Sequence, residues 1–171
     1  MTRKIFKKIL NTIITFVLIS IAILTLNPSY SEAKIEFSDN DEGIEVKRSI
    51  ENLKDLDSQN WQLVTYPRLG NEYQLVLRIV GFKGSLRLNH PASLEVRSGI
   101  KSWSLKDITL GNTQLAMDNR DAAAEFDLEP LMKDLKNNRP LRLALRGGFN
   151  ELPIPPYVVN EWRSIGWIDE S

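Results

Sequence analysis

The stretch EYQLVLRIVGF, residues 72–82, decides the fold. Side chains alternate along an extended chain, so Tyr73, Leu75, Leu77 and Ile79 share one face, and Gln74, Val76, Arg78 and Val80 share the other. Both faces are largely apolar, which predicts a central strand. Upstream, Trp61 to Tyr66 is rich in aromatic and β-branched residues, stops at Pro67 and reaches the central run through a Gly70-Asn71 turn.

Downstream, Gly81 and Gly84 bracket a turn, and Leu86 and Leu88 open a further strand that His90-Pro91 interrupts. Leu94 and Val96 resume the alternation, Ser98-Gly99 turns the chain again, and Trp103, Leu105, Ile108 and Leu110 follow. A short strand is predicted around Leu115 to Met117. The run PLRLALR, residues 140–146, predicts a last strong strand with Leu141, Leu143 and Leu145 inward, closed by Gly147-Gly148.

Helical periods flank these strands. From 44 to 56, Val46, Ile50, Leu53 and Leu56 recur at steps of three and four, which predicts an amphipathic helix. Asp127 is placed to cap a second helix, with Pro130 in its first turn and Leu128, Leu131, Met132 and Leu135 as its apolar stripe. A third helix is predicted over Tyr157 to Ile165. Pro155 and Pro156 give it an extended approach, and Val158, Trp162 and Ile165 share a side. Tyr157, Val158, Trp162 and Trp167 read as a latch packed on an open side of the sheet. Hairpin-spaced strands flanked by helices argue for an α+β fold, an antiparallel sheet with helices on one face or at its ends. The alternative is a small β-barrel with helical lids.

The chain has 171 residues, and its front reads as an address. Arg3, Lys4, Lys7 and Lys8 precede an uncharged run from Ile9 to Leu26. Ser31 and Ala33 then supply the small residues of a signal-peptidase site, so residues 1–33 are expected to be a signal peptide cut after Ala33. An uncleaved membrane anchor through residues 9–26 is the alternative. Either way the remainder is exported, with residues 34–43 as an acidic leader segment and 44–171 as a single globular α+β domain that does not span the membrane. Asp39, Asp41 and Gly43 fail the spacing of a calcium loop and read as a solvated turn within an ordered edge or loose leader.

Beyond Ala33 there are 18 Lys and Arg against 21 Asp and Glu. That balance gives no basis for nucleic-acid binding, which needs a basic excess to release counterions from phosphate. The chain has no cysteine, so disulfides, thiolate nucleophiles and cysteine-ligated metals are excluded. The single histidine, His90, has no nucleophile motif around it, and a lone histidine would have to recruit scattered carboxylates to hold a metal. Glu125, Asp127 and Glu129 form an acidic cluster that helix capping explains better than glycosidic chemistry. No catalytic residue, cofactor or metal is therefore expected.

One constellation points to binding. Leu-Arg-Leu/Ile occurs at 77–79, 86–88 and 141–143. If the apolar residues point inward, Arg78, Arg87 and Arg142 point outward, and Arg97 and Arg146 fall in the same phase. On neighbouring strands these five would form an arginine array able to pair with carboxylates or acidic headgroups.

The Trp61-Gln62 strand start, LRIVGFKG at 77–84 and LPIPPYVVNEW at 152–162 resemble the landmarks of a family of small exported cyanobacterial proteins of unknown function. The similarity runs from about Ile50 to Trp162, and it departs at Lys83, where the resemblance leads one to expect proline. It implies the periplasm or the thylakoid lumen and a link to photosynthetic membranes, and it assigns no site residue. The functional expectation is a non-enzymatic accessory protein that binds another protein, such as a membrane complex during assembly or repair. A small-ligand carrier with an apolar pocket is the alternative.

Overall fold

The computed structural model describes residues 34–39, 45–68, 73–81, 88–113, 115 and 123–166, with side chains from residue 47 onward. The expected signal peptide or anchor, Arg87, the Lys83 turn and Trp167 lie outside the described residues. Ala33–Ser171 forms one compact unit.

Two antiparallel sheets make up the architecture. The first has β1 (Lys34–Asp39), β2 (Glu45–Lys54), β3 (Asn60–Arg68), β4 (Gln74–Gly81) and β7 (Ala123–Asp127), in the order β1-β2-β3-β4-β7. The second has β5 (Leu94–Ser98), β6 (Lys101–Leu105), β8 (Leu141–Leu145) and β9 (Leu152–Ile154), in the order β6-β5-β8-β9. A short helix α1 (Glu129–Asp134) and a longer one, α2 (Pro156–Gly166), complete the described elements. The sheets are open. They meet at an isolated bridge between Asp107 and Phe126, so a β-antiparallel α+β fold forms and the closed barrel does not.

The central strand sits as its two apolar faces require, with β3 on one side and β7 on the other. Leu75, Leu77 and Ile79 point inward with Trp61, Leu63 and Phe126. From the other sheet Leu94, Val96, Leu141, Leu143, Leu145, Leu152 and Ile154 meet them in one continuous cluster. Each such fully buried aliphatic side chain contributes about 1.5–3 kcal/mol relative to exposure. Trp61 packs edge-on against Phe149, with ring centroids 4.8 Å apart. Its indole N–H donates to Asp55 Oδ2 at 2.9 Å, which satisfies the one polar atom of a buried ring.

Helix α2 follows the expected pattern. Val158, Val159, Trp162 and Ile165 are buried in the common core, while Tyr157, expected in the latch, is partly exposed. Pro156 opens the helix, where a missing N–H costs nothing, and the Val158 N–H donates to Pro155 O at 3.1 Å. Arg163 ties the helix to the end of α1 through Asn138 Oδ1 at 3.0 Å and the Leu135 carbonyl. In α1 and at its two ends, Leu128, Leu131 and Leu135 are buried and Met132 packs against the cluster. Asp127 ends β7, and its carboxylate accepts the Glu129 N–H at 3.1 Å.

Two elements differ from expectation, and residues 34–39 take the first of their two expected forms, an ordered edge. The helix predicted over 44–56 is strand β2, hydrogen-bonded to β1 and β3 along both edges. Its inward face carries Ser49, Glu51 and Leu53, and its outward face Arg48, Ile50 and Asn52, so neither face alternates cleanly. The segment takes its conformation from its neighbours rather than from its own pattern. Residues 34–39 form edge strand β1, from Lys34 opposite Ile50 to Asp39 opposite Glu45, so most of the acidic leader belongs to the sheet. Thr113 and Leu115 are helical, where a strand was expected to begin.

β9, the last strand of the second sheet, carries Pro153 at its centre, exposed and opposite Arg142. Among the described residues no helix is long and apolar enough to cross a membrane.

Candidate functional site

Alternation along β3 puts Tyr66 and Arg68 on the outward face of the five-stranded sheet, and alternation along β4 puts Arg78 there too. Register does the rest: Arg78 stands directly opposite Glu125 of β7. Glu125 is fully buried although it lies on the outer face, because the segment after β6 runs along β7. The Asp127 N–H donates to Lys106 O at 3.0 Å, and the Ile108 N–H donates to Glu125 O at 2.8 Å.

The buried carboxylate is saturated with donors. Oε1 accepts Tyr66 O–H at 2.6 Å, Arg78 Nε at 2.8 Å and Nη2 at 2.6 Å, and Asn112 Nδ2 at 3.1 Å. Oε2 accepts Arg68 Nη2. The Tyr66 oxygen also accepts Arg78 Nη2 at 3.0 Å and Arg68 Nη2 at 3.3 Å, and the Arg78 guanidinium lies 5.3 Å from the Tyr66 ring centroid. Burial alone would raise the Glu125 pKa. The hydrogen bonds from Tyr66, Arg68 and Arg78 and the Arg78 charge outweigh it and hold the carboxyl below its ordinary value. Burial and the bond to Glu125 push the Tyr66 hydroxyl up.

A second carboxylate lies beside this hub. Asp107 Oδ1 accepts the Thr109 N–H at 2.8 Å and its hydroxyl at 2.6 Å, and Oδ2 meets His90 Nδ1 at 2.8 Å and the Ala92 N–H. Burial opposes these bonds, yet the bonds prevail and the Asp107 pKa is lowered. Thr109 Oγ1 also accepts the Glu125 N–H at 2.9 Å, which joins the two clusters. Both carboxyls are held below their ordinary pKa and engaged by several donors, so neither is tuned toward neutrality as a general base would be. Among the described residues no group of three or more His, Asp or Glu could hold a metal ion.

The five arginines singled out above do not share one face. Arg78 belongs to the Glu125 hub, because β4 pairs with β3 and β7 and not with a strand of the second sheet. Arg97 and Arg142 are brought together, directly opposite each other on the solvent face of the four-stranded sheet. Arg97 pairs with Glu95 at 2.9 Å, and Arg142 pairs with Glu151. Arg146 is exposed just past the end of β8, where its N–H donates to Ser93 O at 3.2 Å. Arg87 lies outside the described residues.

Sequence reasoning passed over Tyr66, Arg68 and Asp107 and read Glu125 as part of a helix-capping cluster. The available signal was Glu125 itself, a lone acid between Ala124 and Phe126 in a run too apolar for a solvated turn. Of its former companions, Asp127 is not the N-cap, which is Leu128, but accepts the Glu129 N–H from one position earlier, and Glu129 pairs with Lys133 at 2.6 Å.

No curated protein and no solved structure matches the chain. A family described as "Protein of unknown function (DUF3122)" matches residues 33–165, well over half of the chain, and the chain belongs to that family.

Proposed function

We propose that this protein is an exported, non-enzymatic accessory protein that binds an acidic partner protein through the solvent face of the four-stranded sheet. The observation that carries the reading is the placement of Arg97 directly opposite Arg142. Like charges in opposed register cost stability, and a carboxylate-rich surface seated over both guanidinium groups relieves that cost with bidentate hydrogen bonds. The surrounding charge agrees. Residues 93–105 and 136–155 hold six Lys or Arg against two Asp or Glu, within a chain whose formal charge is zero. The intramolecular pairs to Glu95 and Glu151 involve exposed arginines and are worth no more than about 1 kcal/mol each, so a partner's carboxylates can replace them.

The compartment we propose is the periplasm or the thylakoid lumen. The basic and apolar leader of residues 3–26 and the resemblance to exported cyanobacterial proteins support it. The partner in this reading is a photosynthetic membrane complex during assembly or repair. A carrier built around an interior apolar pocket has less support, because the inward faces of the two sheets are filled by one another's side chains.

The test is affinity capture of the tagged, exported chain beside the Arg97→Gln/Arg142→Gln double variant. A specific acidic partner should co-purify with the wild type and be lost from the variant and at raised salt. Equal recovery by both chains overturns the reading, as does recovery of no partner by either.

A further inference from the structure

The Glu125 hub leaves a surplus of positive charge, since two guanidinium groups face one carboxylate. Arg68 sits on the open side of that hub, its side chain 28% exposed. Glu125 and Tyr66 hold its Nη2 in place, and Nε and Nη1 have no partner among the described residues. Arg68 borders a surface hollow of about 430 Å³, which Lys106, Gln74, Pro91, Ile108 and Leu110 also line. Lys106 is exposed and forms no ion pair among the described residues. Asp107 reaches the same hollow, but its two oxygens are taken up by His90, Ala92 and Thr109. It therefore lowers the local field without offering a competing acceptor.

We propose that this hollow is a binding site for a small organic carboxylate, with the acid group held between Arg68 and Lys106 and an apolar stem laid on Pro91, Ile108 and Leu110. Three features select that ligand class. An anchored guanidinium loses little freedom on binding, and with Nη2 engaged by Glu125 and Tyr66 it offers single charge-assisted N–H donors from Nε or Nη1 to a carboxylate oxygen. The Lys106 ammonium adds a second, mobile positive charge, and the Gln74 side chain brings a neutral amide to the rim. The remaining wall is apolar, with Leu110 67% exposed, and a bare inorganic anion would leave it unused. The site lies on the outer face of the five-stranded sheet. It goes beyond the protein-docking reading and uses none of its arginines.

The test is isothermal titration of the purified full chain with hexanoate, with 1-hexanol as the uncharged stem and inorganic phosphate as the stemless anion. Hexanoate should bind, hexanol should not, and phosphate should bind at least about tenfold more weakly. Lys106→Gln removes an exposed, unpaired side chain, so the fold should persist and hexanoate affinity should fall by about threefold or more. Arg68→Gln should lower it by about tenfold or more. Absence of hexanoate binding overturns the proposal. So does binding of hexanol or phosphate as tight as that of hexanoate, or an affinity unchanged in Lys106→Gln. Because Arg97 and Arg142 are untouched, failure here and failure of partner capture are read separately.

Discussion

Arg78 and Glu125 stand directly opposite each other across β4 and β7, 47 residues apart in the chain, with Nε and Nη2 both within 2.8 Å of one buried oxygen. The carboxylate is the single anion among two guanidinium groups, a tyrosine and an asparagine amide, so the cluster depends on its charge.

Glu125→Gln should therefore destabilise the fold by about 2–4 kcal/mol, less than for wholly buried pairs because Arg68 and Arg78 keep partial contact with water. Urea denaturation at neutral pH measures it. The folded-state pKa values of Glu125 and Asp107 are lowered, so their contribution is present above the ordinary carboxylate range and is lost as pH falls through the folded-state values. The gap between variant and wild type should narrow in acid; a constant gap would show that the charge plays no part.

Glu51 predicts the opposite dependence. It is buried on the inward face of β2 beneath α2, close to Tyr157 and Glu161 of that helix. Burial, and then the nearby Glu161 carboxylate, raise its pKa from 4.5 to about 7. The folded chain holds this proton where the unfolded chain releases it, so stability is full below about pH 4.5 and declines as pH rises toward 7. The span corresponds to about 3 kcal/mol. Glu51→Gln should abolish the decline and exceed the wild type at pH 8, as read from urea midpoints at pH 5 and pH 8. A wild-type midpoint that does not fall between those two values would refute the assignment.

Trp162 is 1% exposed within the core cluster. Its truncation to alanine should cost about 3–5 kcal/mol, with lost protection of α2 amides in hydrogen exchange. A loss below about 1 kcal/mol would show that the C-terminal helix is not a structural latch.

Gly147 turns the chain out of β8 at φ +83°. A β-carbon there would meet no close neighbour, only Leu88 Cδ2 at 3.9 Å, so the cost of Gly147→Ala is conformational. About 1–2 kcal/mol is expected, and Gly147→Asn should recover part of it in the same thermal melt.

The elements legible in the sequence are those whose own residues fix their environment. Leu141, Leu143 and Leu145 alternate without interruption, and β8 forms where they stand; Val158, Trp162 and Ile165 mark α2 in the same way. β2 was not legible because Ser49 and Glu51 occupy inward positions and its apolar residues fall by chance at helical steps. Two strand partners, invisible to a local window, decide its conformation. The Glu125 hub was hidden for a related reason. Arg68 and Arg78 carry no signal singly, and only the antiparallel register that sets β3, β4 and β7 side by side makes them neighbours of Glu125.

The proline at the centre of β9 bears on how these molecules behave in a crowd. A strand on the rim of a sheet is a template on which a second polypeptide can grow, and each rim N–H is a place to attach. Pro153 has none to give and Pro155 stands two residues further on, so that border resists being lengthened into a shared ribbon. Copies crowded together would meet along this border through their side chains and leave one another's backbones there alone.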